Sequence, residues 1–337
     1  MSRFNDMTMK KIIFCVLAGW MAFGGYSCSS SGRQTGTAEV QDRDSVRVTK
    51  EFPFPEIPPL YTTQEGKANY LFAHLWDNFD FADTTLTGDR ELCERGFLNQ
   101  LNLYLQVPIE KASAEAGIRA LCEKMEPHEQ ARRVFMDMID TYLYDANSPY
   151  YNEELYLVYL RRMLESRMLD DARKSTLAFR LHLVERNMPG TRATDFVYFS
   201  PDGRRHTLLQ TAVKGERLLL FFYDADCPNC RRTLARMKQD DQLSQAVADG
   251  RLTVLAIYAE EDQERWKSTL SSLPEGWLVG SDRYVVQEQA LYDLKALPSL
   301  YLLDADKNVL VKDRPYVLIA ASLFDSIGNP IQLTIDN

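Results

Sequence analysis

The chain has 337 residues, 45% of them hydrophobic and 26% charged, which suits a globular protein with room for roughly two domains at ~100–200 residues each. Its formal net charge of -9 excludes a nucleic-acid surface built on a sustained basic stripe. Arg161-Arg162 and Arg231-Arg232 are pairs, not patches.

Residues 1–28 carry the order of a secretory signal: Lys10 and Lys11 precede an apolar run from Ile12 to Phe23, which gives way to Gly24-Gly25-Tyr26-Ser27-Cys28. The run is too short to cross a ~30 Å hydrocarbon core, so a permanent transmembrane helix is disfavoured. Small residues ending in a cysteine and followed by Ser29-Ser30-Ser31 resemble a bacterial lipoprotein processing site, at which Cys28 is lipidated and becomes the new N-terminus. Gly25 stands where such sites usually carry an aliphatic residue, and plain secretion is the alternative. Residues 29–60 read as a tether. Its first part, to about Lys50, is polar and charged with almost nothing to bury, and Phe52-Pro53-Phe54-Pro55 to Pro58-Pro59 reads as a stiff polyproline II spacer packed on the domain that follows.

Over residues 61–188 the apolar residues recur at helical spacing, which predicts an all-α domain of five or six helices. Thr62 and Glu65 read as a capping box ahead of the helix holding Tyr70, Leu71, Leu75 and Trp76. Further helices are expected over Glu91–Gln106, Ser113–Lys124, Glu129–Tyr144, Glu153–Arg167 and Asp170–Glu185, separated by Pro108, Pro127 and Ser148-Pro149. Met188-Pro189-Gly190 breaks the pattern, and residues 189–337 form the second expected domain. A hairpin over 196–208 comes first, then a doubly buried strand over 218–223, a helix from Cys227 to about Lys238 and a strand over 252–258. A helix over 263–271, a short strand at 277–279, a helix near 285–292, and strands over 299–303 and 309–312 complete an α/β layer domain.

Candidate chemistry concentrates at Cys227-Pro228-Asn229-Cys230. A cysteine at the first turn of a helix meets unpaired backbone N–H groups and the positive end of the helix dipole, and both favour thiolate. Cys227 is therefore the expected nucleophile, and Cys230, one turn further on, the thiol that resolves the mixed disulfide. A zinc site needs two more Cys or His ligands, and of the four histidines three lie in the helical segment, so no metal is expected. A permanently closed structural disulfide is the other reading. Cys93 and Cys122, in different predicted helices, are either a structural bridge or two buried thiols, without a catalytic role.

The strand, the C-x-x-C helix, and Leu297-Pro298-Ser299 opening Leu300-Tyr301-Leu302-Leu303-Asp304 resemble the thioredoxin superfamily pattern, in particular the extracytoplasmic TlpA-type thioredoxins. That resemblance implies thiol–disulfide exchange on exported proteins without a cofactor, and a cis Pro298 beside the cysteines whose neighbouring backbone pairs with the substrate chain. Asn69-Tyr70-Leu71-Phe72 and Trp76-Asp77-Asn78-Phe79-Asp80-Phe81 are similar to an uncharacterised helical domain that precedes such thioredoxins in Gram-negative lipoproteins; the Trp76 cluster reads as core packing.

Two departures stand out. Thioredoxins place a buried carboxylate six residues before the first cysteine, where this chain has Phe221, and the usual Trp just before that cysteine is Asp226. Asp224 and Asp226 oppose thiolate formation while Arg231 and Arg232 favour it. Either aspartate is a candidate proton relay in place of Phe221, with a solvated loop acid as the alternative.

The resulting expectation is a lipid-anchored oxidoreductase of a Gram-negative cell envelope, facing the periplasm. Its partners would be protein thiols or disulfides, a redox donor and the membrane, with no nucleic acid. The second class is a non-catalytic module whose helical domain recognises a protein or glycan. A peroxiredoxin-type enzyme is a third, but its Pro-x-x-x-Thr/Ser-x-x-Cys pattern is absent before Cys227.

Overall fold

A computed structural model describes residues 51–324. The expected signal, the Cys28 lipidation site and the first part of the tether lie outside the described residues. The described residues divide into two compact units, one up to Gly117 and one from Ile118 onward.

In the first unit, helix α1 (Gln64–His74) is capped by Thr63, whose hydroxyl accepts the Gly66 N–H at 3.0 Å. The cap is thus one residue later than Thr62, because Thr63 holds the extended backbone that lets its side chain reach the first turn. Helix α2 (Thr84–Thr87) is a single turn, and helix α3 (Arg90–Gln106) buries Leu92, Cys93, Phe97, Gln100 and Leu101. Helix α4 (Lys111–Met125) runs across the unit boundary. Trp76 packs edge-on against Phe52 and Phe79, so the aromatic cluster is core, as expected. Its indole Nε1 donates to Gln100 Oε1 at 2.9 Å, and Gln100 Nε2 donates to the Phe72 carbonyl at 2.8 Å. Phe52 sits over Gly96, where any larger residue would overlap its ring, so the proline-rich stretch packs down at that point.

In the second unit, α5 (Glu129–Ile139) runs into a π-helical turn at Asp140–Tyr144, followed by α6 (Glu153–Leu164) and α7 (Asp171–Glu185). A seven-stranded sheet follows, in the order β2-β1-β5-β4-β3-β6-β7. The strands are β1 (Val197–Phe199), β2 (Arg205–Thr207), β3 (Arg217–Tyr223), β4 (Leu252–Tyr258), β5 (Leu278–Ser281), β6 (Ser299–Asp304) and β7 (Val309–Lys312). The helices of this part are α8 (Pro228–Gln239), α9 (Asp241–Ala248), α10 (Gln263–Thr269), α11 (Val285–Glu288) and α12 (Tyr316–Phe324). Helices α9 and α12 escape the sequence reading, and α11 is one turn where a longer helix was expected, closed by left-handed backbone at Tyr284 and Ala290. The chain is therefore an N-terminal helical region followed by an α/β domain with a mixed sheet.

Strand β3 is buried on both faces, since its alternating apolar residues serve two cores. Leu219, Phe221 and Tyr223 face Cys230, Met237, Leu243 and Ile319, while Leu218, Leu220 and Phe222 face Phe196, Tyr292 and Tyr301. Its neighbours fix what stands at its C-terminal end. β4 runs parallel with Tyr223 opposite Tyr258, and β6 runs antiparallel with Phe222 opposite Ser299. The segment entering β6, Leu297-Pro298, is thereby brought alongside the turn that carries Cys227.

Candidate functional site

Cys227 occupies the N-cap of α8 with extended backbone (φ -68°, ψ 121°), Pro228 opens the helix where a missing N–H costs least, and the Arg231 N–H donates to the Cys227 carbonyl at 3.1 Å. The Cys227 thiol is half-buried and donates to the carbonyl of Leu297 at 3.2 Å. The Leu297-Pro298 peptide is cis, as the resemblance implied for Pro298.

Cys230 lies one turn in, 2% exposed, on the face of β3 that Phe221 occupies. Its sulfur accepts the Asp224 N–H at 3.4 Å, and burial pushes its thiol well up despite that bond. Both cysteines are free thiols, so the structure shows an open pair. The asymmetry is chemical: one sulfur reaches solvent, and the other is sealed beneath it.

The structure separates the two relay candidates. Asp226 is exposed, and Arg265 from α10 grips its carboxylate with Nε 3.0 and 3.1 Å from the two oxygens. That hydrogen-bonded pairing holds the Asp226 carboxyl below its ordinary range. Asp224 is half-buried, its backbone touches Cys230 Sγ, and its Oδ1 accepts the Asp226 N–H at 3.0 Å. Arg231 donates to the carbonyls of Ala225 at 3.2 Å and Asp226 at 2.8 Å, and Arg232 to Asn229, so both guanidiniums brace the turn itself.

Sequence reasoning missed Arg265 and Glu260. Both come to this end of the sheet through the parallel register of β4 against β3, a relation between segments about 35 residues apart that no local motif encodes. Burial raises the Glu260 carboxyl, with Asp224 adding to the rise. Among the described residues no group of three or more Cys, His, Asp or Glu side chains is placed to hold a metal. Cys93 and Cys122 are free thiols and buried, and burial pushes each up to about 12.

Residues 195–312 match the model of a thioredoxin-like domain, and residues 27–187 match a domain of unknown function, DUF5106. A crystal structure of a thioredoxin-like protein from Bacteroides caccae is 34% identical and covers 82% of this chain and 99% of its own, with a TM-score of 0.76. The chain belongs to the thioredoxin-like family. A domain of a possible thiol-disulfide isomerase from Cytophaga hutchinsonii is 25% identical to this thioredoxin-like protein, covering 42% of it and 94% of the domain, with a TM-score of 0.37. A probable nucleoredoxin 3 from Oryza sativa subsp. japonica is 24% identical over 163 residues, 48% of this chain. The thioredoxin-like chain spans 33% of the length of that curated relative.

Proposed function

We propose that this thioredoxin-like protein is a TlpA-like thiol–disulfide oxidoreductase whose Cys227 and Cys230 exchange disulfides with exported proteins. The observation that carries the reading is the pairing of a solvent-reaching Cys227, hydrogen-bonded to the Leu297 carbonyl at 3.2 Å, with a Cys230 sealed 2% exposed below it. In the reducing direction the Cys227 thiolate attacks one sulfur of a substrate disulfide. That S–S bond breaks, a mixed disulfide forms, and the departing substrate sulfur takes a proton from water. Cys230 then gives up its proton and attacks the Cys227 sulfur, releasing the second substrate thiolate and closing the Cys227–Cys230 disulfide. Two electrons have passed to the substrate, and a redox donor must return them. The oxidising direction is the same sequence reversed.

Pro298 and the adjoining backbone form the docking edge in this reading, since the Leu297 carbonyl already faces the nucleophile. Reduction of insulin disulfides by the full chain, with Cys227→Ser as control, tests it. Turnover that Cys227→Ser abolishes is expected, and turnover indifferent to that substitution overturns the proposal. The setting we propose, lipid attachment at Cys28 and a periplasm-facing place in a Gram-negative envelope, rests on the residue order of 1–28 alone. Fractionation of cells expressing the chain and its Cys28→Ala form tests that part: membrane retention of the first and release of the second are expected, and equal release of both contradicts it.

A further inference from the structure

The segment that ends at Leu297-Pro298 is anchored from below by a buried cluster of charges supplied by two parts of the second unit. Lys295, two residues before Leu297, has Nζ 2.7 Å from Asp293 Oδ2 and 2.9 Å from Glu153 Oε1, and it donates to the Tyr151 hydroxyl at 3.2 Å. Glu153 opens helix α6, and its other oxygen, Oε2, lies 3.1 Å from Lys312 Nζ on β7. Asp293 also accepts from the Tyr144 hydroxyl at 3.1 Å, delivered by the π-helical turn. On the far side of Pro298, the Ser299 hydroxyl donates to Asp313 Oδ1 at 2.6 Å, and Asp313 Oδ2 lies 3.9 Å from Lys295 Nζ.

Every charged member is nearly removed from solvent, with side chains between 2% and 11% exposed. Ions so buried are held only where each finds its partners, and removing one leaves the others uncompensated. The contacts of the cluster reach both flanks of the Leu297-Pro298 peptide. Lys295 fixes the upstream flank and Ser299 the downstream one. Between them the Leu297 carbonyl is presented to Cys227 Sγ.

We propose that Glu153 and Lys295 are positioning residues of the redox centre: through their buried ion pair the helical segment α6 holds the Leu297-Pro298 backbone against Cys227 and so sets the docking of a substrate strand. The proposal rests on the oxidoreductase reading for its substrate, but the coupling between helix and loop stands on the geometry alone. It gives helices that match a domain of unknown function a part in the chemistry of the neighbouring fold. A loosened loop misplaces the backbone edge on which a protein substrate would lie, whereas a small disulfide that uses no such edge meets the same Cys227 as before.

The test compares Glu153→Gln, an isostere without the charge, with Glu126→Gln in the full chain. Glu126 pairs with Arg162 at 2.5 Å elsewhere in the helices, their side chains 15% and 13% exposed, with no contact to the loop among the bonds described. Glu153→Gln should raise KM for a protein disulfide about tenfold while changing the reaction of Cys227 with a small aromatic disulfide less than about twofold. Amide hydrogen exchange over residues 294–300 should quicken in the same variant, and Glu126→Gln should show neither effect. The double variant Glu153→Gln/Lys312→Met, which removes one acid and one base together, guards against simple misfolding and should lose docking equally. An unchanged KM with unchanged exchange over 294–300, or equal losses in Glu126→Gln, overturns the proposal. A parent protein that turns over no protein disulfide, with loop exchange still quickened by Glu153→Gln, would instead remove the oxidoreductase reading and leave the coupling in place.

Discussion

In the proposed exchange the resolving step depends on how Cys230 loses its proton, and Phe221 occupies the place where a thioredoxin keeps a base for that purpose. Asp224 is the carboxylate-bearing residue whose backbone touches the Cys230 sulfur, at 3.4 Å, while the Asp226 carboxylate is committed to Arg265. A carboxylate relay saturates once ionised, so resolution through it levels off with pH. Without it the rate must follow thiolate formation, and because burial pushes the Cys230 thiol well up, that rate rises about tenfold per pH unit across the neutral range. Asp224→Asn should therefore slow resolution at pH 7 by about 10²-fold, near 2.7 kcal/mol at about 1.36 kcal/mol per decade, and restore the steep pH dependence. Asp226→Asn should leave both rate and profile alone. The assay starts from a thionitrobenzoate adduct on Cys227 and follows release of the coloured thiol between pH 6 and 9, about three decades on the steep line. A profile identical in wild type and Asp224→Asn, or a slowing confined to Asp226→Asn, refutes the assignment.

Phe221 is fully buried and stacks on Tyr223 with ring centroids 5.4 Å apart, so Phe221→Ala should cost about 3–5 kcal/mol and lower the melting temperature by about 6–20 °C, read by circular dichroism. A shift under a couple of degrees would mean that the site refills. In the first unit, Gln100→Leu removes the bond from the buried Trp76 indole to Gln100 Oε1 and should cost about 1–3 kcal/mol in urea unfolding; a neutral result contradicts the bonded pair. Burial pushes Asp313 and Asp282 each up to about 6, above the unfolded aspartate value of 3.8. The native state then binds more protons than the unfolded chain between those two values, so stability should fall as pH rises from about 4 to about 6. Asp313→Asn should make that slope shallower, and a slope unchanged by the substitution rejects the account.

The legible elements are those whose residues announce themselves locally. Strand β4 was expected over 252–258 and is found there, because its run of apolar residues has no helical period and is bounded by charge. The start of α8 was readable from Pro228 following a cysteine at a strand end. Helix α9 escapes the sequence reading although the Asp240 carboxylate caps it by accepting the Leu243 N–H at 3.0 Å. The choice between Thr62 and Thr63 turned on backbone geometry that two adjacent threonines do not reveal. Cys227, Cys230 and Pro298 were legible because a motif and a strand-opening proline mark them. The partners that tune them were not. Arg265 meets Asp226 across 39 residues, and Glu153 meets Lys295 across 142, and neither segment carries a pattern that points to the other.

The central claim is that Cys227 attacks and Cys230 resolves. Its most direct test is to incubate the full chain carrying Cys230→Ser with a disulfide-bonded protein and map the adduct by peptide mass. The account predicts a stable mixed disulfide on Cys227, released by dithiothreitol and absent when Cys227 is also replaced. No adduct, or one carried by Cys93 or Cys122, would contradict it.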